Sequence, residues 1–300
     1  MRHICSVLAL VIAAACPLGR AAEPPDVFGG SAILFDANTG EVLYKKNDRM
    51  RTPIASTQKL LTTLLVVKAG NLQGDLTVPK DATLQQPTKL YLKEGDHYNR
   101  LKLLTALLVK SANDVAWALA IDNAGTIPAF AEKMNAEARR LGARDSHFEN
   151  PNGLPVADND QYSTARDLAC IARAAYRNPI IRDIVDRRTY LFTYSSGKVV
   201  TLENTNHVLR EYSFCNGMKT GYTDLAGHCL VASGSYGGKD MIAIILKSDK
   251  EHIWNDAARL LEYGLGIDRR QFAIKSTSPV TTRKVSAKRS KREKREGDDE

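Results

Sequence analysis

The sequence predicts an α+β protein, an antiparallel sheet flanked by helices with a helical lobe inserted between its strands. Three observations carry that reading. Strand-like runs joined by turn residues stand near both ends, helically spaced apolar segments fill the middle, and a last helix carries Ala257, Leu260 and Leu261 on one face. With 300 residues, 43% of them hydrophobic and 25% charged, the chain can bury a sizeable core as one large domain or two closely packed lobes.

The first segment places Arg2 and His3 before an apolar run from Ile4 to Cys16, followed by small residues and two prolines. That run is too short for a membrane span and has the build of a secretory signal. Cleavage after Ala21, with Gly19 at the third position before the cut, makes 1–21 a signal peptide. The mature protein then works in the periplasm or at the extracellular face of the envelope. Lipoprotein processing at Cys16 competes, although "IAAAC" lacks the leucine usual at such sites.

The mature domain, expected over 22–267, opens with a hairpin: Ser31 to Asp36 and Glu41 to Lys45, joined by "ANTG". After Thr52-Pro53, Leu60, Leu61, Leu64, Leu65 and Val67 recur at helical spacing until Gly70. Ser56 and Lys59 are therefore expected in the first turn of a helix whose body is core. Helices follow from Leu101 to Val109 and from Val115 to Ile121, with "KSAND" as a polar corner between them. Another covers Ile127 to Leu141, "ENPNGLP" is a turn-rich loop, and Ser163 begins a capped helix running to Tyr176. Strands are expected at Thr189 to Tyr194, Lys198 to Leu202, around Lys219, at Cys229 to Ser233 and at Met241 to Leu246, before a helix from Trp254 to Tyr263.

The net charge of +8 is concentrated late. "RKVSAKRSKREKR", from Arg283 to Arg295, opposes eight basic residues with Glu293 alone, and "EGDDE" then reverses the sign. Residues 268–300 are accordingly expected to form a solvated, disordered tail, with weak contact to anionic lipid, lipopolysaccharide or wall polymer as its functional alternative. An exported chain gives no reason to expect a nucleic-acid partner. Once the signal has left, Cys170, Cys215 and Cys229 remain, an odd number that argues against a disulfide-dependent fold. Cys215 and Cys229 are either paired across adjacent strands or, as is more usual, buried free thiols. The six histidines form no H-E-x-x-H or H-x-H cluster, so neither metal nor cofactor is expected.

"STQK" places a serine and a lysine three residues apart at a helix start, where both side chains share a face, as a nucleophile and its base require. The four letters alone are cheap: "SSGK" at Ser195 to Lys198 repeats the spacing in a hairpin turn. Lysine can act as a base near neutral pH only if its pKa falls by roughly two to four units from about 10.4, through burial or a nearby cation. Ser111-Ala112-Asn113 forms a second polar cluster and Lys219-Thr220-Gly221 a third. Lys219 is a candidate for the cation, and Gly221 allows a substrate backbone to lie close to its strand.

In the order S-x-x-K, S-x-N, K-T-G, the sequence resembles the serine-type D-Ala-D-Ala carboxypeptidases, the low-molecular-weight penicillin-binding proteins of the penicillin-recognising group. The resemblance runs from about Phe28 to Gly266 and includes "KSANDVAWALA", "FENPNGLP" and "GMKTGYTDLAGHCLVAS". It implies a β-lactamase/transpeptidase-like fold, peptidoglycan stem peptides as substrate and β-lactams as covalent inhibitors. It also implies Ser56 as acylated nucleophile, Lys59 as proton acceptor, Ser111 as shuttle to the leaving D-alanine and Asn113 on the substrate amide. Lys219 supplies positive field, Thr220 and Thr223 offer hydroxyls to the terminal carboxylate, and the N–H groups of Ser56 and Tyr222 form the oxyanion hole. One departure stands out: where relatives commonly carry a carboxylate-anchoring arginine, this chain has Ile253, with Lys250 and His252 nearby. No E-x-x-L-N follows the second motif, which argues against fast penicillin hydrolysis. DD-endopeptidase action and a slowly turning-over β-lactam- or wall-binding module remain the alternative functions.

Overall fold

A computed structural model describes residues 23–157 and 160–274. The signal segment 1–21, including Cys5 and Cys16, and the basic run from Arg283 lie outside the described residues. The main sheet is antiparallel throughout and draws its strands from both ends of the chain. β1 (Ser31–Asp36) and β2 (Val42–Lys46) form the early hairpin, and β7 (Cys215–Thr223), β8 (Gly227–Tyr236) and β9 (Lys239–Ser248) form the late meander. Their order is β2-β1-β9-β8-β7, with Ile33 opposite Ile244 where the two ends of the chain meet. In the hairpin turn the Asp36 carboxylate accepts from the N–H groups of Asn38 and Thr39, and Gly40 takes a φ of 84°.

Strand alternation divides the core between the two faces of the sheet. Leu34, Leu230, Ala243 and Ile245 pack under α9 (Ile253–Leu265), with Ala257, Leu260 and Leu261 as its buried face. Ile33, Phe35, Val231, Ile242 and Ile244 face the helical lobe. That lobe centres on α1 (Lys59–Ala69), which is buried on almost every side, as expected of a helix with apolar residues around most of its circumference. Around it lie β3 (Asp75–Thr77), α2 (Lys80–Thr83), β4 (His97–Asn99), α3 (Arg100–Lys110), α4 (Asn113–Ala124), α5 (Ile127–Leu141) and α6 (Ala165–Arg177). Then come α7 (Pro179–Val185), the hairpin β5 (Thr189–Thr193) and β6 (Val199–Glu203), and α8 (His207–Glu211).

Several expectations need correction. Ser56 lies in a 3-10 turn, Ala55–Gln58, and the α-helix proper begins at Lys59. The cap of α6 is Thr164, whose hydroxyl accepts from Asp167 N, while Ser163 instead bridges to Thr52. The helices α7 and α8 were not anticipated. Cys215 and Cys229 are not paired: they are free thiols lying opposite Gly234 and Gly221, near opposite ends of the β7–β8 ladder. Finally, the folded unit passes the expected boundary at 267. Residues Arg269–Phe272 form a turn, Phe272 packs edge-on against Phe214 and Tyr236, and Ile274 N donates to Glu211 O.

Candidate active site

Three segments distant in sequence converge where the 3-10 turn enters α1. Ser56 sits one turn before Lys59, and the Lys59 ammonium reaches the Ser56 Oγ at 2.5 Å. The same Nζ donates to Asn113 Oδ1 at 2.7 Å and to the Asn152 carbonyl at 2.9 Å. Ser56 Oγ in turn donates to the Asn152 carbonyl at 3.1 Å. Lys59 is fully buried, and burial holds its pKa well below the ordinary lysine value, with the charge of Lys219 adding to the depression and Asp114 opposing it. Without its proton, the amine can keep two N–H bonds, to Asn113 and Asn152, and turn its lone pair to the serine hydroxyl. That is the arrangement of an activated nucleophile.

The second segment is the corner between α3 and α4. Ser111 ends α3 in the left-handed conformation, φ 68°, a strained state for a residue with a side chain. The turn aims its hydroxyl across the cleft at Lys219, whose Nζ donates to it at 2.8 Å. Asn113 opens α4, where its side chain is fixed by Lys59 on one side and donates to the Gln86 carbonyl on the other. Asp114, also buried, accepts from the backbone N–H groups of Leu90, Leu92 and Val115. Burial raises its pKa against the effect of those bonds.

The third segment is β7. Lys219 is buried, which lowers its pKa to about 7, and it also bonds the Thr220 carbonyl. Thr220 and Thr205 share a hydroxyl bond of 2.6 Å. A Cβ at Gly221 would lie 2.9 Å from Ser56 N, so the absence of a side chain is what lets β7 run flush against the Ser56 amide. A cavity of about 280 Å³ opens here, lined among others by Ser56, Ser111, Thr220, Tyr222 and Ile253. Tyr222 stands exposed at its edge, 4.5 Å from the His228 ring.

Eight of the nine residues expected from sequence therefore surround one cleft. Thr223 does not line it; it lies by a neighbouring recess with Ala55 and Gly153, and its hydroxyl accepts from Ala226 N. Sequence reasoning missed the floor of the site. Asn150 Oδ1 accepts from Asn152 N and Gly153 N, and Gln58 Nε2 donates to the Asn150 carbonyl and to Gln161 Oε1. This network holds the Asn152 carbonyl against Lys59, and the "NPNG" turn chemistry was the only available hint. Among the described residues one trio, His147, Glu149 and Asp160, could hold a metal ion, and none of the three touches Ser56 or Lys59.

Comparisons with known proteins agree with this geometry. The D-alanyl-D-alanine carboxypeptidase family matches residues 19–250. D-alanyl-D-alanine carboxypeptidase DacF of Bacillus subtilis is 30% identical over 72% of this chain, although the match spans only 56% of that relative. D-alanyl-D-alanine endopeptidase of Escherichia coli is 32% identical over 80% of this chain and 78% of the relative. The crystal structure of D-alanyl-D-alanine carboxypeptidase from Mycobacterium tuberculosis superposes with a TM-score of 0.78 at 29% identity, covering 86% of this chain and 98% of that one. On its motifs, its fold and a match across most of its length, the chain belongs to the D-alanyl-D-alanine carboxypeptidase family.

Proposed function

We propose that the protein is a serine D-alanyl-D-alanine carboxypeptidase that removes the terminal D-alanine of peptidoglycan stem peptides and is acylated by β-lactams at Ser56. The observation that carries this reading is the buried Lys59 amine, 2.5 Å from Ser56 Oγ with its pKa depressed. Lys59 takes the hydroxyl proton as Ser56 Oγ attacks the penultimate carbonyl, and the N–H groups of Ser56 and Tyr222 receive the oxyanion. Ser111, bonded to Lys219, relays the proton held by Lys59 to the departing amine as the C–N bond breaks, which leaves the Lys59 amine neutral again. Asn113 holds the substrate amide, and Gly221 leaves room for the substrate backbone along β7. Water then hydrolyses the ester, with Lys59 again accepting the proton.

Ser56→Ala tests the assignment. Both D-alanine release and labelling by a fluorescent penicillin should disappear, and labelling that persists would refute it. A second reading, cleavage of crosslinks, is favoured by Ile253, which lines the cleft where the family resemblance implies a carboxylate-anchoring arginine, and by the relative named as an endopeptidase. Assaying a pentapeptide beside a crosslinked dimer separates the two, and a pure binding module would turn over neither.

We also propose export through the 1–21 signal. Its support is the charged start, short apolar run and small-residue cut site, and sequencing the N-terminus of the mature protein tests it. No helix of the described residues is long and apolar enough to cross a membrane.

A further inference from the structure

Ile253 leaves the leaving-group end of the cleft without a guanidinium, and we infer that Lys110 binds the substrate's terminal carboxylate in its place. The inference rests on the D-alanyl-D-alanine peptidase reading and concerns the carboxylate anchor of that same site.

Lys110 is the last residue of α3 and lines the same cavity as Ser56, Thr220 and Ile253. Bonds on both sides of it fix its position. Thr205 N donates to the Val109 carbonyl at 3.3 Å, and Lys219 Nζ donates to Ser111 Oγ at 2.8 Å. Because Thr205, in the loop before α8, is bonded through its hydroxyl to Thr220 on β7, that loop ties the strand to the end of the helix that carries the ammonium.

Lys250, close enough to act on the His228 charge, has no ion-pairing partner among the described residues but does not line the cavity, and the remaining cationic side chains of the region are engaged. Lys59 and Lys219 are buried and spent on Ser56, Asn113 and Ser111. His252 bonds Asp249 and stacks on Phe28, and Arg210 faces Glu203 at 3.5 Å. His228 lines the cavity, but burial lowers its pKa and favours the neutral ring. Among the described residues, Lys110 has no carboxylate within ion-pairing distance. A lysine at a helix C-terminus needs no ligand to explain it; position in the cleft and the lack of a protein partner assign this one to an incoming anion.

The substitution changes the character of recognition. An ammonium is a mobile point charge, whereas a guanidinium is a rigid fork. The Thr205 and Thr220 hydroxyls therefore supply the directional part of the contact, and the lysine supplies charge.

The test compares the full chain with its Lys110→Gln and Lys110→Arg variants. Each receives a peptide ending in D-alanyl-D-alanine, as free acid and as C-terminal amide, and benzylpenicillin beside its methyl ester. Acylation of Ser56 is followed by mass spectrometry. Lys110→Gln should cut kcat/KM for the acid and acylation by benzylpenicillin about tenfold or more, leave amide and ester within about twofold, and be rescued by arginine. Equal losses on charged and neutral partners, or no loss on either, overturn the proposal. A wild-type protein that is acylated but releases no D-alanine removes the carboxypeptidase reading, while the penicillin-to-ester ratio still decides the role of Lys110. One that does neither overturns both.

Discussion

Gly221→Ala adds one methyl group at the point where β7 meets the nucleophile. Its Cβ would lie 2.9 Å from Ser56 N and 3.0 Å from both Ala55 Cβ and the Ile54 carbonyl. Comfortable contact between such atoms is about 3.5 Å or more, so the strand or the turn must retreat by roughly half an ångström to an ångström. None of the three atoms is the mobile end of a long side chain, and Gly221 is not among the residues with positive φ, so alanine adds crowding without backbone strain. The retreat displaces the Ser56 amide and hydroxyl together. A misplacement of about 1 Å at reacting atoms costs on the order of a hundredfold, or about 2.7 kcal/mol of barrier. Overpacking itself lowers stability by about 1–3 kcal/mol, so the protein should still unfold cooperatively. Stopped-flow acylation by a fluorescent penicillin measures the rate, and thermal unfolding controls for the fold. Acylation at the wild-type rate would refute the close approach of β7 to Ser56 on which the site's geometry depends.

Other perturbations probe the charges and thiols. The acylation rate should rise with pH as Lys59 loses its proton; since Asp114 opposes the depression of the Lys59 pKa, Asp114→Asn should move that limb to lower pH, and an alkaline shift would reject the sign. Bonds from Arg140 and Lys68 hold the Glu137 carboxyl at about 2, so the stability it confers is complete above the unfolded value of about 4.3 and vanishes as pH falls through 2. Glu137→Gln should thus lower Tm at pH 7, with a gap that closes in acid; a gap independent of pH counts against the ion pairs. Burial pushes the Cys215 and Cys229 thiols up to about 12, so peptide mapping should find neither alkylated at pH 8 until the protein is denatured.

The sheet, the helical lobe and the three motifs that converge on one cleft were legible because each rests on local chemistry. The helix Ile127–Leu141 was readable to the residue, since its sequence gives a long periodic run ended by Gly142. By contrast, α7 and α8 are too short to establish a period, and their local signals are confined to the capping side chains of Asn178 and Asn206 and to Pro179 at the first position of α7. Gln58, Asn150 and Gln161 look like ordinary surface residues in one dimension. Their burial beneath Lys59 follows from the loop folding back under the turn, where Gly153 meets the Ala55 carbonyl so closely that no Cβ would fit. The tail boundary was misplaced for a similar reason: Phe272-Ala273-Ile274 is a three-residue apolar patch behind Arg269 and Arg270, too short to signal burial, and only the Phe214 and Tyr236 rings show why Phe272 is held.

The joining of β1 to β9 also has a kinetic consequence. These strands come from opposite ends of the described chain, and more than half of the polypeptide separates Ser56 from the strand that flanks it. Contacts of such long sequence separation form slowly, because the closure entropy of the whole intervening loop opposes them. A nascent chain carries its serine and lysine early but cannot react until β7 to β9 have docked. Penicillin acylation should therefore appear only with the last cooperative step of refolding, which makes the covalent label a clock for completion of the fold.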